Sequence, residues 1–149
     1  MKPERSITIL MADDDEDDRL LTRDALVESR LPNDFHCVED GIELMRYLRR
    51  EDHYADETRY PSPNLILLDL NMPRMDGREA LAQIKADPAL RSIPVIILTT
   101  SKAEEDMMKG YGLGAASYIT KPVTFDKLVE LMRSLGKYWT EFVELPNRK

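Results

Sequence analysis

Cysteine is all but absent from this chain of 149 residues. The one thiol, Cys37, cannot form an intramolecular disulfide, and with two histidines, His36 and His53, no Cys/His set has zinc spacing. Both scarcities count against redox chemistry and fit a reducing compartment. Long apolar runs are also missing. No stretch reaches the roughly 18 uncharged apolar residues of a membrane-crossing helix, and Met1 to Ser6 is polar and charged, unlike a secretory leader. A soluble, cytoplasmic protein with no membrane partner is expected. Positive charge is in deficit, 21 Lys+Arg against 28 Asp+Glu for a net −7, so most of the surface repels a phosphate backbone. No nucleic-acid binding is expected.

What is present suits one domain, since 42% hydrophobic content over this length closes a single core. The expectation is one unit over residues 1–149, with a core at about 7–136 and an amphipathic extension at about 137–149. Short apolar runs alternate with amphipathic stretches, the pattern of βαβ units and a parallel sheet covered on both faces. The runs are Ile7 to Ala12, Phe35 to Val38, Leu65 to Leu68, Val95 to Leu98 and Ser117 to Thr120. Helical spacing links Leu20, Leu21, Ala25, Leu26 and Val27, then Ile42, Met45, Tyr47 and Leu48. Shorter sets follow at Ala80, Leu81 and Ile84, at Met107, Met108 and Tyr111, and from Phe125 to Leu135. The stretch Glu51 to Pro63 reads as a long polar surface loop. Tyr138, Trp139, Phe142 and Val143 form an aromatic stripe that the core does not need, which suggests a dimer or partner surface.

Ligands of open parallel sheets sit at the carboxyl ends of the strands, so the residues ending each run are the ones to inspect. The first run ends in Asp13 and Asp14, the third in Asp69, the fourth in Thr99 and Thr100, the fifth in Lys121 and Pro122. Three carboxylates on one edge repel one another unless a cation intervenes, and a hard divalent ion such as Mg²⁺ takes oxygen ligands of this kind. Asp69 is then placed to attack phosphorus, with the metal and Lys121 neutralising phosphoryl oxygens and Thr99 donating to one of them. A Lys-Pro bond at that strand end could be cis and aim the lysine inward.

These residues resemble a family. "ILMADDD" at Leu10 to Asp15 with its neighbour Ile9, "LILLDLNMPRMDG" at Leu65 to Gly77, "PVIILTT" at Pro94 to Thr100 and "YITKP" at Tyr118 to Pro122 resemble a two-component response-regulator receiver domain, in order and in spacing. The resemblance covers roughly Ile7 to Leu135. It implies a doubly wound α/β fold of the flavodoxin-like, CheY-like kind, with five parallel strands in the order 2-1-3-4-5. It implies a phosphorylation site at Asp69 and a Mg²⁺ (or Mn²⁺) site at Asp13, Asp14, Asp69 and the backbone carbonyl of Asn71. Thr99 and Lys121 take the phosphate-binding positions, Tyr118 is the switch aromatic, and Thr100 shapes access. A histidine kinase is the implied phosphodonor. The output is a change at the face of the fourth helix, fifth strand and fifth helix, controlling partner binding or dimerisation. "PNLILLDLN" and "YWTEFVELP" are similar to single-domain regulators paired with phytochrome kinases. The implied protein is a phosphoacceptor, not an enzyme with its own substrate.

Blander readings stand beside each residue. Acid runs such as Asp13 to Asp18 are commonly helix N-terminal decoration, and an EF-hand reading of the same run fails on Asp18 where glycine belongs. Asp76-Gly77 reads as turn chemistry. A dehalogenase-like phosphatase resembles an Asp-x-Asp pattern, but Asn71 stands at the second position. An inert interaction module is the other rival. The convergence of the acids with Thr99 and Lys121 favours the receiver.

Overall fold

The computed structural model describes residues 6–122 and 124–141, without the side chains of 138–141. Strands β1 (Ile7–Ala12), β2 (Asn33–Val38), β3 (Leu65–Asp69), β4 (Val95–Thr99) and β5 (Ser117–Thr120) alternate with helices α1 (Glu16–Ser29), α2 (Gly41–Leu48), α3 (Gly77–Ala86), α4 (Lys102–Gly110) and α5 (Phe125–Glu141). All pairings are parallel, in the order β2-β1-β3-β4-β5. The sheet thus has the class and the strand order that the resemblance implies.

β3 and β4 are buried at every position, as apolar strands between two helical layers must be. Side chains alternate across the sheet, so Leu10, Ala12, Ile66, Leu68, Val95 and Ile97 enter one core with α2 and α3, while Ile9, Met11, Leu65, Leu67, Ile96 and Leu98 enter the other with α1 and α5. Four helices open on a side-chain cap shortly past a strand. Asp15, Asp40, Asp76 and Ser101 accept backbone N–H groups of the first turns of α1, α2, α3 and α4. β1, β2 and β4 each lead within a few residues to a capped helix, and a longer loop leads from β3 to Asp76, so the intervening loops gather along one edge.

Three expectations need correction. The face of α1 that meets the core is Thr22, Ala25, Leu26 and Ser29, whereas Leu20, Leu21 and Val27 are exposed. Thr22 and Ser29 can be buried because their hydroxyls donate to the carbonyls of Asp18 (2.9 Å) and Leu26 (2.8 Å). Hydrophobicity alone selected Ala25 and Leu26 correctly and missed the two buried hydroxyl residues. The Glu51 to Pro63 stretch is not a simple polar loop. It carries a 3₁₀ turn, Asp52–Ala55, and packs Tyr54 and Tyr60 against Tyr47 of α2. Tyr47 donates to the Pro61 carbonyl (2.8 Å) and Tyr54 to Glu43 (2.6 Å), so the ring hydroxyls are satisfied inside the packing. The Lys121-Pro122 bond is trans. Trans is the lower-energy isomer, and the lysine reaches the carboxylates without the alternative. Of the tail stripe, Tyr138 and Trp139 fall in the last turns of α5 without described side chains, and Phe142 and Val143 lie outside the described residues. Among the described residues, no helix is long and apolar enough to cross a membrane.

Candidate functional site

At the carboxyl edge of the sheet, β1 ends against Asp13, which is fully buried, and β3 ends in Asp69, 3% exposed. Asp14, next along the chain, is exposed. One carboxylate oxygen from each of the three lies within 4.8 Å of the others. Burial pushes the Asp69 carboxyl up to about 6, and the Asp13 charge adds to the shift against the pull of Lys121 and the Asn71 N–H. Asp13 is raised for the same first reason, burial, although it accepts from the Asp15 N–H (2.9 Å) and from Lys121. Asp69 Oδ1 is buried with no hydrogen-bond partner. An oxygen so placed is the group that a cation or an electrophile would satisfy. The acid set and the orphaned oxygen fit a hard divalent ion.

Lys121 follows β5 and brings its ammonium to Asp18 Oδ2 (2.7 Å), Asp13 Oδ2 (3.0 Å) and Asp69 Oδ1 (3.5 Å). Burial works against the charged amine, but the three carboxylates outweigh it and raise its pKa. The lysine stays a cation at any physiological pH.

Gly77 supports this edge from below. A Cβ there would lie 2.6 Å from the Asp69 carbonyl oxygen, so only glycine lets α3 start so close to β3, and its N–H donates to the Leu70 carbonyl (2.9 Å). Asp76 caps α3 by accepting the Glu79 N–H (3.0 Å), the structural role its sequence context suggests. Arg74, at φ 65°, reaches back to Asp40 (2.8 Å) and ties the β3–α3 loop to the cap of α2.

Thr99 ends β4 and is fully buried, its hydroxyl directed to the Ser101 carbonyl (3.2 Å) and lying 3.5 Å from Thr120 Oγ1. Thr100 is exposed and its hydroxyl donates to Glu104 (3.1 Å). The same carboxylate accepts the Asn71 side-chain amide (3.3 Å), joining the loops after β3 and β4. Tyr118, on β5, packs against the α2–α3 side core, and its hydroxyl is buried without a hydrogen-bond partner.

Three residues escaped sequence reasoning. Asp18 sits in the acid run but gains meaning only from Lys121, far along the chain. Glu104 stands three after Ser101, a capping-box spacing that offered a signal. Glu105 is buried in α4, where it accepts the backbone N–H (2.8 Å) and hydroxyl (2.7 Å) of Thr120 and pairs with Lys109 (2.8 Å) and Lys102 (3.2 Å). Its hydrogen bonds, that from Lys109 first, hold its pKa down at about 2. No periodicity announces a carboxylate on the inner face of a helix.

Known proteins are similar to this chain in sequence and in fold. Residues 9–133 match the model of the response regulator receiver domain. The response regulator Rcp1 of Synechocystis is 38% identical over 93% of this chain and 92% of its own length. The crystal structure of the phosphorylated cyanobacterial phytochrome response regulator RcpA superposes with a TM-score of 0.83 at 40% identity, over 95% of this chain and 99% of that one. The Mn²⁺-bound form of Rcp1 gives 0.79 at 38% identity, over 94% and 99%. A match of this extent, on a sheet of this strand order, makes the chain a member of the response regulator receiver domain family.

Proposed function

We propose that this chain is a single receiver domain that accepts a phosphoryl group on Asp69 from a histidine kinase and reports it by a change of shape. The observation that carries the reading is Asp69 itself, a buried carboxylate at the end of β3 with two acids close by and one oxygen that lacks a hydrogen bond and faces the Lys121 ammonium at 3.5 Å. Asp13, Asp14, Asp69 and the Asn71 carbonyl would hold Mg²⁺ or Mn²⁺. When bound, the ion offsets carboxylate repulsion and phosphoryl charge.

The reaction follows from the side chains. The Asp69 carboxylate attacks the phosphorus of a phosphohistidine, the P–O bond forms, the P–N bond breaks, and the imidazole leaves. Lys121 stays charged and within reach of the new phosphoryl oxygens. Attack by water on phosphorus later frees inorganic phosphate and restores the carboxylate.

A dianionic phosphate at Asp69 would draw the Thr99 hydroxyl from its weak bond to Ser101. Thr99 neighbours Thr120, which Glu105 holds to α4, so its movement bears on the contact between α4 and β5. Tyr118, whose hydroxyl has nothing to lose by moving, would then repack, remodelling the face of α4, β5 and α5 for a partner or a second copy. The likeness to RcpA and Rcp1 supports a phytochrome-type kinase as the phosphodonor. Adding a beryllium fluoride phosphate mimic with Mg²⁺ tests the reading by NMR. Amide resonances of Thr99, Glu105, Tyr118 and Thr120 should shift together; a spectrum unmoved at that face would refute the switch. Truncation before Tyr138 should yield a monomer by light scattering if the tail carries dimerisation, and an unchanged mass would remove it from the account.

A further inference from the structure

The ammonium of Lys121 is closest to a carboxylate that neither the proposed metal nor the phosphoryl group uses. Asp18 Oδ2 lies 2.7 Å from Nζ, against 3.0 Å for Asp13 and 3.5 Å for Asp69. Asp18 is not among the acids whose oxygens gather within 4.8 Å of one another. We propose that Asp18 is a positioning residue for the phosphoryl transfer, anchoring Lys121 at the rim of the site with its remaining N–H turned toward Asp69. This rests on the receiver reading.

Geometry and chemistry carry it. A lysine ammonium has three N–H donors on a flexible stem, and ordering that stem costs rotamer entropy. Asp18 takes one donor and Asp13 a second, leaving the third for the oxygens at Asp69. Asp13 is fully buried inside the acid set, so a cation there divides its charge between ion and lysine. Asp18 has no such competitor. Its own position is fixed in the first turn of α1, where Asp15 accepts the Asp17 and Asp18 N–H groups and the Thr22 hydroxyl donates to the Asp18 carbonyl. The contact therefore ties α1 to the end of β5. With the ammonium already within 3.5 Å of Asp69 while bound to Asp18, the anchor need not release it for transfer.

The test is the initial rate of Mg²⁺-dependent phosphorylation from acetyl phosphate, by intact mass, in a double-mutant cycle. Asp18→Ala should slow the reaction by about fivefold or more at saturating donor, with the Mg²⁺ midpoint moved by less than about twofold. Asp18→Glu should recover most of the rate. In a Lys121→Ala background, Asp18→Ala should change the rate by less than about twofold, because an anchor without its lysine has nothing to hold. An unchanged or faster rate in the single variant would overturn the inference. So would an equal loss in the Lys121→Ala background, which would mark Asp18 as a helix-stabilising residue only. A wild-type chain that takes phosphoryl groups neither from acetyl phosphate nor from a histidine kinase would instead remove the receiver reading itself, and this inference with it.

Discussion

Replacing Asp69 by asparagine should make the metal-free protein more stable, the reverse of what loss of a well-bonded buried residue does. The Asp69 carboxyl is raised from its ordinary 3.8 to about 6, first by burial and then by the Asp13 charge. A group whose pKa is higher in the folded state binds its proton more tightly there. Its stabilising contribution is complete below pH 3.8 and is lost as the pH rises through 6. The shift corresponds to about 1.5 kcal/mol at pH 5 and about 3 kcal/mol at pH 8. An asparagine side chain in that place would keep the shape and remove the charge. Urea unfolding in a chelator should therefore show Asp69→Asn more stable than the wild type by about 3 kcal/mol at pH 8, with the gap roughly halved at pH 5. Saturating Mg²⁺ should narrow the gap by stabilising the wild type. A variant equal to or weaker than the wild type at pH 8, or a gap that does not change with pH, would refute the claim that this acid site is electrostatically frustrated without a cation.

Further consequences can be checked alongside. Glu105→Ala leaves the Thr120 N–H and hydroxyl without their acceptor and should cost about 1–3 kcal/mol in urea unfolding; an unchanged midpoint would mean that these bonds carry no stability. Because the Glu105 pKa is depressed to about 2, its contribution is present above 4.5 and is lost as the pH falls through 2, so the penalty of the variant should shrink in strong acid. Tyr118→Phe removes a buried hydroxyl with no partner and should stabilise the unphosphorylated protein by about 1 kcal/mol, whereas a loss would show that the hydroxyl is bonded. Gly77→Ala places a methyl group 2.6 Å from the Asp69 carbonyl and should cost about 1–3 kcal/mol, together with weaker Mg²⁺ binding; a silent substitution would contradict the close approach of α3 to β3.

Much of this molecule was legible because its signals are local. The strands of Ile7 to Ala12 and Ser117 to Thr120 begin and end where their apolar runs do, and the acids and Lys121 mark strand ends that a parallel sheet must gather on one edge. The helical faces were harder to read. In α1, Thr22 and Ser29 satisfy their own hydroxyls on backbone carbonyls and can face the core, leaving Leu20 and Val27 to solvent. In α4, Lys102 and Lys109 pair with Glu105 at ordinary helical spacing, but it faces inward to accept from Thr120, a partner that no window along the helix contains. Asp18 shows the same limit, since its partner lies 103 residues away. Polar groups with distant partners are invisible to periodicity, and here they cluster where the switch is proposed to act.

The central claim is that Asp69 is the phosphoacceptor, and intact-mass spectrometry after incubation with Mg²⁺ and acetyl phosphate tests it most directly. One added phosphoryl group, lost when Mg²⁺ is chelated and absent from Asp69→Asn, is the predicted result. An adduct that persists in Asp69→Asn, or no adduct from either acetyl phosphate or a histidine kinase, would contradict the account.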